Sequence, residues 1–82
     1  MQQYECMDKL IKNLPVLRAT INMTQAQLAE KVGVSRQTIV AIETRKRLMS
    51  LTLYLAIVCV FQNHDDSKKM IGNLSLFDES LI

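Results

Sequence analysis

Between Thr24 and Glu43 the chain carries two helix starts only eleven residues apart, and this spacing constrains its fold more than any other feature. Thr24 is an N-cap residue with Gln27 three places later, the pattern of a capping box. Met23 and Leu28 stand where a hydrophobic staple closes. Ala26, Leu28, Ala29 and Val32 follow as one apolar side at helical spacing. Gly33 suits the left-handed backbone that ends a helix. Ser35 is a second N-cap, and Val34 and Ile39 form a second staple. The interval leaves room for a turn of three or four residues, so two short helices must meet at a tight, defined angle.

On a helical wheel of about 100° per residue, Ile39 and Ile42 fall together on one side and face the core. Arg36, Val40, Thr44, Gln37 and Ala41 spread over the opposite arc. Folding does not need this second face, and Arg36 and Gln37 occupy its first turn, where a DNA-reading helix presents side chains to base edges. Arginine pairs bidentately with guanine, glutamine with adenine, and small apolar groups touch the thymine methyl. Single exposed apolar residues are common on surfaces, but a β-branched Val40 on this arc fits a face that meets something dry. The expected base-reading set is Arg36, Gln37, Val40 and Ala41, with double-stranded DNA as the partner.

Residues from about Leu14 to Phe61 resemble the phage Cro/repressor (XRE-type) helix-turn-helix family. The matching positions are Gln25 at the start of the first motif helix, Ala29 in its middle, Gly33 at the turn, Ile39 and Ile42 inside the second helix, and Glu43 at its end. The resemblance implies an all-α fold of the lambda repressor-like type, a compact bundle of four to six short helices, usually dimeric, that binds operator DNA through the major groove. It also implies that Gln25 touches a phosphate and supports Gln37, and that Arg18 and Glu43 form a structural ion pair between the first and third helices. That pair makes sense from the residues too. Glu43 lies at the edge of the second motif helix, and Arg18 is the cation nearest the core residues Leu14, Leu17 and Ile21.

The chain departs from the family at three turns. Thr44-Arg45-Lys46-Arg47 stands where a glycine commonly follows the second motif helix, Met49 where a proline often precedes the fourth, and Asn22 where a glycine is common before the first. Asn tolerates the left-handed conformation, so that change is mild. The expected phosphate contacts are Thr24, Gln25, Thr38, Thr44, Arg45, Lys46 and Arg47, which fix register without carrying sequence information. The charge distribution agrees. Residues 1–61 hold eight Lys/Arg against four Asp/Glu, leaving +4, and residues 62–82 hold two against four, leaving −2.

The flanks divide the chain into a DNA-binding domain, 1–62, and a C-terminal helical extension, 63–82. Before the motif, Leu10, Ile11, Leu14 and Leu17 form one helical side interrupted by Pro15. This reads as a short helix near 7–13 followed by another from Leu14, or as a single kinked helix. Ser50 caps a fourth helix, Leu51 to Phe61, in which Thr52 alone is polar. It is too short to span a membrane and too apolar for one solvated side. Its cover would be the C-terminal segment or a second copy of the chain. In the extension a helix is expected over 67–72 with a stop at Gly72-Asn73. Leu74, Leu76, Phe77, Leu81 and Ile82 then form an apolar patch that packs on helix four or at a dimer interface.

The remaining chemistry is thin. Cys6 and Cys59 have no metal spacing, with Cys59 expected as a small core residue and Cys6 as a free thiol near the N-terminus. His64 stands alone in a polar link, and Asp65-Asp66 fit a helix start. No metal site, cofactor or catalytic constellation is expected, so the chain does not read as an enzyme. The absence of a signal peptide or disulfide framework points to the cytoplasm. The expectation is a dimeric repressor on a near-palindromic operator. The alternative is an antitoxin that uses the same domain on DNA and the C-terminal segment as the site for a toxin protein partner.

Overall fold

The computed structural model describes residues 3–74, with side chains from residue 5. Five helices follow in order: α1 (Gln3–Thr20), α2 (Gln25–Val32), α3 (Arg36–Glu43), α4 (Leu51–Gln62) and α5 (Asp65–Asn73). The described residues contain no strand.

The three middle helices begin where local chemistry places them. Thr24 accepts from the Gln27 backbone at 3.0 Å, and the Gln27 side chain accepts from the Thr24 backbone at 2.9 Å, so the capping box is complete. Ser35 and Ser50 accept from the backbones of Thr38 and Leu53. Met49 stands just before the Ser50 cap and, like Tyr54 four residues after it, is buried. These are the two positions of a hydrophobic staple.

α1 is one helix of 18 residues with Pro15 inside it, not two helices meeting at Leu14. Pro15 lacks the N–H that would bond the Ile11 carbonyl, a local cost. Tertiary burial offsets it: Cys6, Leu10, Leu14 and Leu17 share one side and are completely buried on both flanks of the proline. α5 starts at Asp65, two residues earlier than the sequence suggests, with both aspartates in its first turn, where carboxylates favour the positive end of the helix dipole. The buried Ser67 hydroxyl donates to the Phe61 carbonyl at 2.6 Å and stitches α5 to the end of α4.

One core draws on all five helices. Leu28 and Ala29 of α2, Ile39 and Ile42 of α3, Tyr54, Ile57, Val58 and Phe61 of α4, and Ile71 of α5 are buried in the same cluster as the apolar side of α1. α5 lies against α4 and α1, and Leu74 packs on the core. The rest of the predicted C-terminal patch, Leu76 to Ile82, lies outside the described residues. The two cysteines exchange their expected places. Cys6 is fully buried, whereas Cys59 is exposed on α4. Burial first, and then the charge and hydrogen bond of the neighbouring Cys6 side chain, hold the Tyr54 hydroxyl well above its ordinary ionisation range.

Candidate nucleic-acid interface

α2 and α3 meet across the turn at Gly33, whose φ of 78° lies in the left-handed region. The Val34 N–H reaches back to the Ala29 carbonyl at 3.0 Å, closing the end of α2. Ile39 and Ile42 are completely buried, so the inner side of α3 is fixed by packing. Arg36 and Gln37 are exposed in its first turn, and Val40 and Ala41 are half-buried beside them. These four side chains share the outward side of α3.

An ion pair anchors the far end of α3. Arg18 Nε donates to Glu43 Oε2 at 2.8 Å and Nη2 donates to Glu43 Oε1 at 2.9 Å, a two-pronged contact. The two side chains are 16% and 7% exposed, respectively. Arg18 Nη1 also donates to the Met23 carbonyl at 3.2 Å, so one guanidinium holds the α1–α2 turn and the end of α3 together.

Gln25 extends this arrangement to the surface. Its Nε2 donates to Glu43 Oε1 at 3.2 Å, and its Oε1 accepts a long contact from Arg36 Nη2 at 3.5 Å. The residue at the start of α2 is thus joined to Arg36, whereas the resemblance implied support of Gln37. Arg18, Glu43, Gln25 and Arg36 form a continuous polar chain from the half-buried edge of α1 to the outward side of α3.

The loop after α3 is less uniform than its three consecutive cations suggest. Arg45 takes a left-handed φ of 62°, a conformation that favours glycine. It is paired with Asp8 of α1 at 2.5 Å, a contact between two half-exposed side chains. No local signal announces Asp8, which lies 37 residues earlier. Arg47 Nη1 reaches Thr38 Oγ1 at 3.5 Å, beside α3, and Lys46 is exposed. Thr44 turns its hydroxyl back to the Val40 carbonyl at 2.8 Å. Thr38 shares a hydrogen bond with Ser35 at 3.0 Å, and the Thr24 hydroxyl is engaged in its cap.

Among the described residues, no group of three or more His, Cys, Asp or Glu is placed to hold a metal ion. No described helix is long and apolar enough to cross a membrane.

The helix-turn-helix family matches residues 17–66, from the second half of α1 to the start of α5. An uncharacterized HTH-type transcriptional regulator of Archaeoglobus fulgidus is 44% identical over 62 residues, covering 76% of this chain and 79% of its own. Another, of Methanocaldococcus jannaschii, is 52% identical over 48 residues, covering 58% of this chain and 73% of its own. No solved structure matches with comparable significance.

Proposed function

The chain belongs to the Cro/repressor-like (XRE-type) helix-turn-helix family, and from that premise we propose that it is a sequence-specific DNA-binding transcriptional regulator. In this reading α3 enters the major groove. Arg36 and Gln37 address base edges, while Val40 and Ala41 meet thymine methyl groups. Gln25, Thr24, Thr38, Thr44, Lys46 and Arg47 contact the flanking phosphates. Arg45 joins them once it exchanges Asp8 for a phosphate.

The observation that carries this reading is the division of α3 into two sides. Ile39, Ile42 and Glu43 are fixed by the core and by Arg18, while Arg36 and Gln37 stand exposed in the first turn. The folded chain gains only a long 3.5 Å contact from Arg36 to Gln25 there, whereas a base edge can use the full hydrogen-bonding capacity of both side chains.

The regulator acts as a homodimer in this proposal, with two α3 helices about one DNA turn, roughly 34 Å, apart on a near-palindromic site. The outward edge of α4 favours it: Leu55 is 37% exposed and Cys59 stands open nearby. Repression is the expected sign, by occupation of an operator.

The test is selection of binding sites from a random duplex library, with the wild type and Arg36→Ala in parallel. The expected result is a short two-fold-symmetric site from which the variant loses one guanine preference. Titration in salt should give a log–log slope of about −0.9 per phosphate contact. Failure of a folded wild type to enrich any sequence would sink direct readout by α3.

A further inference from the structure

A hollow of about 440 Å³ lies between the N-terminal half of α1 and the loop that joins α3 to α4. Its size falls within the range of small-molecule sites. Met7, Ile11, Met49 and Leu51 provide its apolar walls, and Arg45, Arg47 and Asp8 stand at its edge. Leu48 also lines it and is 90% exposed, a large aliphatic side chain with almost nothing over it.

Two features define what fits. The apolar walls are aliphatic or thioether, and the two methionines adapt readily to an unbranched chain. The lining contains no aromatic ring on which a planar ligand would stack. The charge at the edge is one carboxylate against two guanidinium groups. Asp8 occupies Arg45, whereas Arg47 has only the long contact to Thr38. A ligand that matches both features has a flexible aliphatic body and one anionic head.

We propose that this hollow binds an amphipathic anion of the aliphatic carboxylate class, with the tail against Met7, Ile11, Leu48 and Leu51 and the head on Arg47 and Arg45. The consequence for DNA rests on the reading of the loop as a phosphate clamp. A carboxylate on these arginines competes with the DNA backbone, so ligand and operator exclude one another. The hollow is then an effector site built into the DNA-binding domain itself.

The probe is dodecanoate, held well below its micelle-forming concentration and titrated into the full chain without DNA, followed by calorimetry and amide NMR shifts. The expected result is saturable one-to-one binding, with shifts centred on Met7, Ile11, Leu48 and Leu51. Dodecyltrimethylammonium should bind at least tenfold more weakly. Leu48→Asp, at an exposed position, should weaken dodecanoate at least tenfold while leaving the melting temperature unchanged. Arg47→Glu should do the same through the head group. Non-saturable binding, equal affinity for anion and cation, or shifts centred on Leu55 and Cys59 would overturn the site. Shifts at these residues that grow with protein concentration alone would assign the hollow to a second copy of the chain and overturn it too. Adding dodecanoate to the selected duplex should then lower DNA affinity at least tenfold. Unchanged affinity refutes the competition. A chain that binds dodecanoate but no DNA refutes the regulator reading and leaves the site standing.

Discussion

Arg18→Met removes the charge that holds α3 and keeps most of the apolar stem. The loss is local and large. Glu43 keeps a carboxylate that is 7% exposed, and of its three hydrogen bonds only the one from Gln25 remains. Removing one partner of a buried ion pair costs about 3–5 kcal/mol, because the other charge stays behind without compensation. Arg18 itself is 16% exposed and some water can reach the site, which places this pair at the lower end, about 3 kcal/mol. In a domain of this size each kcal/mol moves the melting temperature by about 4–8 °C, so the expected fall is about 12–24 °C. Equilibrium denaturation of Arg18→Met, Glu43→Leu and the double variant would measure it. The double variant should recover most of the loss, since an apolar pair leaves no buried charge. A cost below about 1 kcal/mol for Arg18→Met, or additive losses in the double variant, would show that the pair is solvated and does not fix α3.

Four further outcomes are expected. Arg45→Gly should raise stability by about 0.5–1 kcal/mol in denaturant, because relief of a left-handed backbone exceeds the loss of a half-exposed contact to Asp8. Gly33→Ala should lower it by about 1 kcal/mol through backbone strain alone, since an added Cβ would meet no atom within 4 Å. The raised ionisation of Tyr54 makes the fold sensitive to alkali: its contribution is complete below the ordinary tyrosine range near 10 and is lost as pH rises through the folded value. Tyr54→Phe should flatten the fall of melting temperature above about pH 10 and cost about 1 kcal/mol at neutral pH, the worth of one hydrogen bond. In the native protein a maleimide should label Cys59 and spare Cys6, which should react only on unfolding; equal labelling would contradict the burial of Cys6.

The starts of α2, α3 and α4 were legible because capping is decided within four residues. Thr24 with Gln27, Ser35 and Ser50 each satisfy backbone groups that lie beside them in sequence. Pro15 was misleading for the opposite reason. Its penalty is local, and what outweighs it is the burial of Leu10, Leu14 and Leu17 in a core shared by all five helices. The cysteines depended on the phase of a helix. Cys6 continues the stripe of Leu10, Leu14 and Leu17 one turn earlier, which is visible only once α1 is extended back to Gln3. Around Cys59, α4 is apolar on every side, so the pattern has no contrast from which to tell the buried stripe of Tyr54, Ile57, Val58 and Phe61 from its exposed neighbour. The Arg18–Glu43 contact was legible from residue types and core position together. The partners of Gln25 and Arg45 were not, because they depend on how side chains meet between separate helices.

The two sides of α3 also bear on how such a protein can change. Ile39, Ile42 and Glu43 carry the packing and the anchor, while the exposed Arg36 and Gln37 carry little of either. Substitution at these two positions is therefore nearly free of structural penalty, and new residues there can be tried on an unchanged body. Gln25 is a crossing point, since it touches both the anchor at Glu43 and the outward Arg36. A lineage that altered position 36 would feel the change at position 25 first, so these two positions should drift together while the rest of the outer face drifts alone.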